Sequence, residues 1–287
     1  TVIRYAGSKD GGRTFSPAVT VAGASLTGAR GWHAATLGHD GGVQVVWLDG
    51  RNAAPMAHAH GKGASKPVRP AGGPRQDIFH ASWKGDARPV EHLIQANVCF
   101  CCKTAVVASG EKVYAAWRHI YPGSLRDIAV ARSTDNGATF GDPIRVSEDG
   151  WKIDACPDDG PAMAADGHDG IHIAWPTLVA GDAPRKGIFY STLKGDSFAP
   201  RVRLDRGDAD PAHPQIAADH HTNVAVVWDE RTSERRRIVF RPVTDDAVEA
   251  PRFFNGDGVS YPVVAAGEGY WIVLWSVQDA GGGSVIE

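Results

Sequence analysis

The sequence predicts an all-β fold: a β-propeller of four-stranded antiparallel blades, six blades favoured and five the alternative. Three observations carry this. First, five segments repeat one pattern, a short apolar strand, a turn, and a second strand ending in Trp. They run from His33–Leu37 to Trp47, Thr104–Ala108 to Trp117, Pro161–Ala165 to Trp175, Pro214–Ala218 to Trp228 and Pro262–Ala266 to Trp275. Second, the later tryptophans are spaced by 58, 53 and 47 residues, about the size of one blade. Third, 34 Gly and 18 Pro accompany frequent turns, and no long amphipathic helix is apparent.

The elements follow in order. Thr1 to Val21 reads as the third and fourth strands of a blade whose first two strands are absent or come from the C-terminal Ser260–Ser276. The latter closure gives five blades; strands lying upstream give six. The first tryptophan spacing, 70 residues, contains a Gly/Pro/Lys-rich insertion around residues 61–75. After each Trp a polar loop leads to a third strand, as in Asp127–Arg132 and Gly187–Ser191. No linker divides the chain, so residues 1–287 are expected to form a single domain.

The turn after the third strand is the most specific signature. Ser8–Phe15 and Ser133–Phe140 are two copies of one eight-residue motif, Ser-x-Asp-x-Gly-x-Thr-Phe. Its Asp accepts local backbone N–H groups, its Gly supplies unusual backbone angles, and its Phe is an apolar plug. Ser191–Phe198 is a degraded copy lacking the Asp, and Ser82–Asp86 is weaker still. At these residues the chain resembles the Asp-box (BNR-repeat) propellers of the sialidase-like superfamily, as a member carrying a Cys-x-Cys-Cys stretch. With the Trp repeats, the resemblance covers nearly the whole chain. It implies a propeller, usually of six blades, with the boxes as structural turns on the face away from the usual site. It implies no particular function.

Composition excludes several classes. A net charge of −3 and a pI near 6.4 give no basic footprint for nucleic acid. No apolar run is long enough to cross a bilayer. The chain begins at Thr1 rather than Met, which fits removal of an export signal and a periplasmic or secreted location. A monomer is expected.

Loops before first strands and after second strands share one face of such a propeller. Three of the four cysteines, Cys99, Cys101 and Cys102, fall in one such loop, and Cys156 falls in the equivalent loop of the next repeat. The same mouth is expected to hold Trp32, His33, Asp158, Asp159, His213 and Tyr261. It also takes Arg51, Met56, His58, His60, Arg118, His119, Tyr121, Arg126, Glu230 and Arg231. Thiolates are soft ligands suited to copper(I), zinc and iron–sulfur centres. Structural zinc more often uses separated Cys pairs, so copper is the expected metal and zinc the alternative. The expected ligands are Cys99, Cys101, Cys102 and Cys156, completed by His33, His58, His60 or His213. A metal-transfer protein is then a natural partner. The competing reading needs no metal: Cys102 to Cys156 bridges adjacent blades, and Cys99 to Cys101 forms a local pair. A mixed arrangement has one disulfide and two ligand thiols.

The resemblance also implies an enzyme alternative. Sialidases use three arginines for a carboxylate, a Tyr–Glu nucleophile pair and an Asp acid/base. Arg51, Arg118 and Arg231 are the candidate arginines, Tyr261 with Glu230 the pair, and Asp158 or Asp159 the acid. The early Arg-Ile-Pro motif of that family is absent, and the cysteines have no part in its chemistry. A third alternative is a non-catalytic glycan or protein binder using Trp32, Tyr121 and the arginines. Asp158-Asp159 also suits a hard cation, but the Gly-Pro that follows favours a turn. No phosphate loop or hydrolase nucleophile motif is present.

Overall fold

A computed structural model describes residues 1–22, 27–53, 75–153, 158–179, 185–244, 248–278 and 283–287. Regular structure among them is all strand. Strands β1 (Ile3–Tyr5) and β2 (Val19–Ala22) form a two-stranded sheet. Next, β3 (Arg30–Leu37), β4 (Val43–Asp49), β5 (Arg75–Trp83) and β6 (Val90–Cys99) pair in sequence order. The following sheet holds β7 (Ala105–Ser109), β8 (Lys112–Arg118), β9 (Ile128–Ser133) and β10 (Ile144–Arg145). Then come β11 (Ala162–Ala165), β12 (Ile171–Val179), β13 (Arg185–Lys194), β14 (Ser197–Phe198) and β15 (Val202–Arg203). The fourth full sheet is β16 (Asp210–Ala218), β17 (Val224–Arg231), β18 (Arg236–Val243) and β19 (Arg252–Asn255). Finally, β20 (Val259–Ala266), β21 (Trp271–Gln278) and β22 (Ser284–Ile286) form a three-stranded sheet. The first strand of each sheet lies beside the first strand of the next, β3 by β7, β7 by β11, β11 by β16 and β16 by β20. This is a β-propeller.

Each second strand is nearly continuous in apolar residues because its sheet is covered on both faces. Val46 and Leu48 of β4 pack with Val113, Ala115 and Trp117 of β8. On the other face of the β3–β6 sheet, Val45 and Trp47 meet Ile3, Val21 and Ala22 of the β1–β2 pair. The pattern repeats onward: Ile173 and Trp175 pack with Ala116 and Val130, and Val226 and Trp228 with Ala174 and Ile188. The last sheet breaks it. Trp271 and Val273 pack on Phe240, whereas Ile272 and Leu274 are 47% and 42% exposed on the opposite face. Among the described residues the strands within Ser260–Ser276 pair with β22 and not with β1–β2, so the shared sheet of the five-blade alternative is not formed there.

Both eight-residue turns adopt one geometry. In the second, Asp135 accepts the Thr139 N–H at 2.8 Å, the Thr139 hydroxyl at 2.6 Å and the Ser133 hydroxyl at 2.7 Å. Asp10 makes the matching bonds to Thr14 and Ser8. Gly12 and Gly137 both have φ of 86°, a conformation that glycine adopts without penalty. The Thr14 and Thr139 hydroxyls lead in holding Asp10 and Asp135 ionised, with pKa values lowered to about 2.

The indole N–H groups of the buried blade tryptophans are satisfied locally. Trp47 donates to Asp49 at 2.9 Å, Trp175 to Asp149 at 2.8 Å and Trp228 to Glu230 at 2.9 Å. Trp117 departs from this pattern: it donates to His119 Nδ1 at 3.2 Å. His119 takes the place two residues on that Asp49 and Glu230 hold after Trp47 and Trp228, and this is the sheet next to the cysteines.

Candidate functional site

Strand β6 delivers the cysteines. It carries a register irregularity near its end, and Asn97 there has φ of 60°. The Asn97 N–H donates to Asp77 Oδ1 at 3.0 Å, which fixes the bend. A bulge of this kind re-aims the residues that follow it. Val98 and Cys99 accordingly turn inward, 0% and 1% exposed. The chain then crosses from an outer strand to the inner strand β7. Within that crossing Cys101 and Cys102 are also buried, at 4% and 1% exposure, with Phe100 and Ile120 packed against the group.

The three sulfurs form one cluster, all within 4.8 Å of one another. Cys99 Sγ lies 3.6 Å from Cys102 Sγ and 4.0 Å from Cys101 Sγ. Cys101 is disulfide-bonded, with its partner outside the described residues, whereas Cys99 and Cys102 are free thiols. Two expected bridges are therefore corrected. A Cys102–Cys156 bond is not formed, because Cys102 keeps its thiol against Cys99. A Cys99–Cys101 bond is not formed either, because the 4.0 Å separation is about twice an S–S bond. The mixed arrangement, one disulfide beside two thiols, is the one observed.

Arg126 Nη1 donates to Cys99 Sγ at 3.1 Å. This guanidinium is positioned by its own backbone. The Arg126 N–H donates to Trp151 O at 2.8 Å, and the Arg126 carbonyl accepts Arg118 Nη1 at 2.8 Å. Arg118, the last residue of β8, also donates to Pro176 O at 2.8 Å and lies over the Trp151 ring. Both guanidiniums are 1% exposed. The effect on the thiols is opposite in the two residues. The Cys102 S–H donating to Cys99 is the leading cause that lowers the Cys99 pKa to about 6, with Arg126 and Arg118 assisting against the cost of burial. Burial pushes Cys102 up, and so does the neighbouring Cys99. The pair therefore shares one proton near neutrality, the thiolate resting on Cys99.

The sulfurs do not line the central cavity. That cavity, 560 Å³, is bounded by the inner-strand residues Trp32, His33, Met163 and Gln215 and by Lys103, which precedes β7. The cluster lies behind it, joined through Lys103 and Thr104. Lys103 reaches Asp159 at 3.4 Å, and the Thr104 hydroxyl donates to Trp32 O at 2.6 Å. Gly160 lies directly on this crossing: a Cβ there would sit 2.1 Å from Lys103 O.

Around the cavity the backbone bulges at matching places. Trp32, His213 and Tyr261 have φ of 54°, 55° and 53°, each beside a register shift in its inner strand. Such non-glycine conformations are costly and cluster at functional sites. Asp229 holds two of them. It accepts His213 Nδ1 at 2.7 Å and the Tyr261 N–H at 2.9 Å. The His213 and Tyr261 rings are 4.2 Å apart, and Tyr261 and Trp32 are 62% and 40% exposed.

The remaining expected residues are dispersed. His33 lines the cavity, and neither it nor His213 belongs to the sulfur group. Cys156, His58, His60 and Met56 lie outside the described residues. Arg51 binds Asp49 and Glu91, both at 2.6 Å, and Arg231 is exposed, 3.9 Å from Asp210. Glu230 is engaged by Trp228 and by Arg237 Nε at 2.7 Å. Asp159 accepts the His213 N–H at 2.7 Å, and Asp158 is exposed with φ of 51°. Tyr121 meets the His119 ring edge to face, with centroids 4.6 Å apart. Arg126 was placed at the mouth by sequence position, but its bond to sulfur was missed. The signal was an arginine in the loop that follows the Trp117 strand, beside the cysteine crossing.

No family model matches the chain, and no curated protein matches its sequence. Solved structures do match its fold. An α-L-arabinanase from Penicillium chrysogenum superposes with a TM-score of 0.55 at 11% identity, covering 89% of this chain and 76% of that one. The NanB sialidase of Streptococcus pneumoniae gives 0.57 at 13% identity, over 96% of this chain and 60% of that one. The likeness is that of a β-propeller fold. A Hadza microbial sialidase adds a third case, 0.53 at 13% identity, over 90% of this chain and 55% of that one. At these identities the likeness is one of fold, and the sulfur cluster must be read from its own geometry. No helix is long and apolar enough to cross a membrane among the described residues.

Proposed function

We propose that this propeller binds a soft transition-metal ion, copper(I), on the thiols of Cys99 and Cys102, with Cys101 as a third ligand once its disulfide is reduced. The observation that carries the reading is the pair of free sulfurs 3.6 Å apart with a buried guanidinium on one of them. The donors are soft, as copper(I) requires. Two thiolates around a monovalent ion leave one negative charge, which Arg126 balances inside a low-dielectric site. Zinc is the weaker fit, because it takes four ligands and its divalent charge would leave the guanidinium uncompensated. Binding releases the Cys102 proton, so affinity rises with pH. Export to a periplasmic or external compartment and exchange with a metal-transfer protein accord with this role. The test is competition for copper(I) between reduced protein and a chromogenic chelator. One copper per chain is expected, lost in Cys99→Ser and in Cys102→Ser with circular dichroism unchanged. Reduced protein that leaves all copper on the chelator overturns the reading.

A second reading, glycan binding in the inner cavity, is favoured by the exposed aromatic groups of Trp32 and Tyr261 on constrained backbone and by fold neighbours named as sialidases and an arabinanase. Saccharide binding lost in Trp32→Ala supports it. Hydrolysis of a fluorogenic sialoside lost in Tyr261→Phe would extend it to the enzyme alternative.

A further inference from the structure

The structure assigns a second activity to the same sulfurs: intramolecular thiol–disulfide exchange, in which the bridge at Cys101 migrates to a Cys99–Cys102 bridge. Three observations carry it. A disulfide and two free thiols occupy one buried cluster. The two gaps to be closed are short, 4.0 Å from Cys99 to Cys101 and 3.6 Å from Cys99 to Cys102. Cys99, the sulfur common to both gaps, accepts the Arg126 guanidinium, which stabilises negative charge on it.

The chemistry balances within the chain. Cys99 sulfur attacks Cys101 Sγ. A Cys99–Cys101 bond forms, the bond from Cys101 to its partner breaks, and the partner leaves as a thiolate. Cys102 sulfur, its proton passing to the departed thiolate, then attacks Cys99 Sγ. A Cys99–Cys102 bond forms and Cys101 leaves as a thiolate. Two thiols and one disulfide are present at the start and at the end, so no external oxidant or reductant enters. The product bridge spans Cys-x-x-Cys, the spacing of dithiol redox centres. The inference rests on the metal-site reading only in sharing its sulfurs. It adds a control: while the bridge is at Cys99–Cys102, no thiol pair is left there for a metal.

The test is disulfide mapping of metal-free protein, kept under chelator, incubated at neutral pH, acid-quenched and then alkylated in denaturant. The starting bridge joins the Cys101 peptide to a second tryptic peptide. The migrated bridge leaves the two peptides separate, with an internal bond in the first. Wild-type protein is expected to yield both pools, and Cys99→Ser only the joined peptides. Cys102→Ser is expected to lose the Cys99–Cys102 bond, whether its bridge stays in place or stops at Cys99–Cys101. Circular dichroism confirms that each variant is folded. Wild-type protein that shows only joined peptides, even with a catalytic small thiol added, overturns the proposal. Copper binding is read on fully reduced protein, so either result can fail while the other stands.

Discussion

At the residue scale, the site depends on two contacts that no local motif announces. One is the hydrogen bond shared by Cys99 and Cys102, the other the guanidinium of Arg126. In metal-free protein the first thiolate should titrate at about 6, read by ultraviolet thiolate absorbance. Removing the Cys102 donor as Cys102→Ala should raise that midpoint most, and Arg126→Met should raise it by less. An unmoved midpoint in both would contradict the assignment of the charge to Cys99. The sign for stability follows. The folded pKa lies below the ordinary value of 9.0, so this group stabilises the fold fully above 9.0 and loses its contribution as pH falls through about 6. Gly160 gives a second residue-scale expectation. Gly160→Ala forces a methyl against the Lys103 carbonyl and should cost about 1–3 kcal/mol in urea unfolding. Gly141→Ala, whose added Cβ meets its nearest atom at 3.6 Å, should be nearly neutral.

At the element scale, the eight-residue turns are self-contained. Asp10 and Asp135 are held by Ser and Thr side chains of their own turns, so the motif was readable from eight letters. Their depressed pKa values carry a pH signature. The stability they give is present above 3.8 and is lost as pH falls through about 2. Asp135→Asn should lower the melting temperature at neutral pH and flatten its fall across that acid window. An unchanged acid slope would mean that other carboxylates govern it. The cysteine crossing is the opposite kind of element. Its clustering was visible in the letters, as was the one-disulfide, two-thiol option. Its depth was not, because the bulge at Asn97 that turns Cys99 inward depends on pairing with β5 and on Asp77. His33 and His213 stay outside it for a related reason. Loop order fixes which face a residue occupies, whereas the radial distance from the cavity depends on packing between neighbouring sheets.

At the scale of the whole molecule, the Trp spacing gave the architecture because each sheet repeats the same burial. Interior sheets are covered on both faces, and the last sheet on one. Ile173→Ala, at 0% exposure, should cost about 2–5 kcal/mol in equilibrium unfolding. Leu274→Ala, on the bare face, should stay within about 0.5 kcal/mol of wild type. Equal costs would mean that the outer face of the last sheet is covered in solution. What the repeats could not show is how the ends of the chain meet, since β1–β2 and β20–β22 belong to separate sheets.

The depth of the sulfur cluster has a kinetic consequence. A glutathione molecule cannot dock on thiols that are 1% exposed, and attack by or on an outside thiol needs contact between sulfurs. The redox poise of the surroundings therefore reaches the cluster only when the crossing opens. Between openings the sulfurs keep the oxidation level they last received, even as the bridge moves among them. The molecule carries a short chemical memory, erased at the rate of local unfolding rather than at the rate of thiol diffusion.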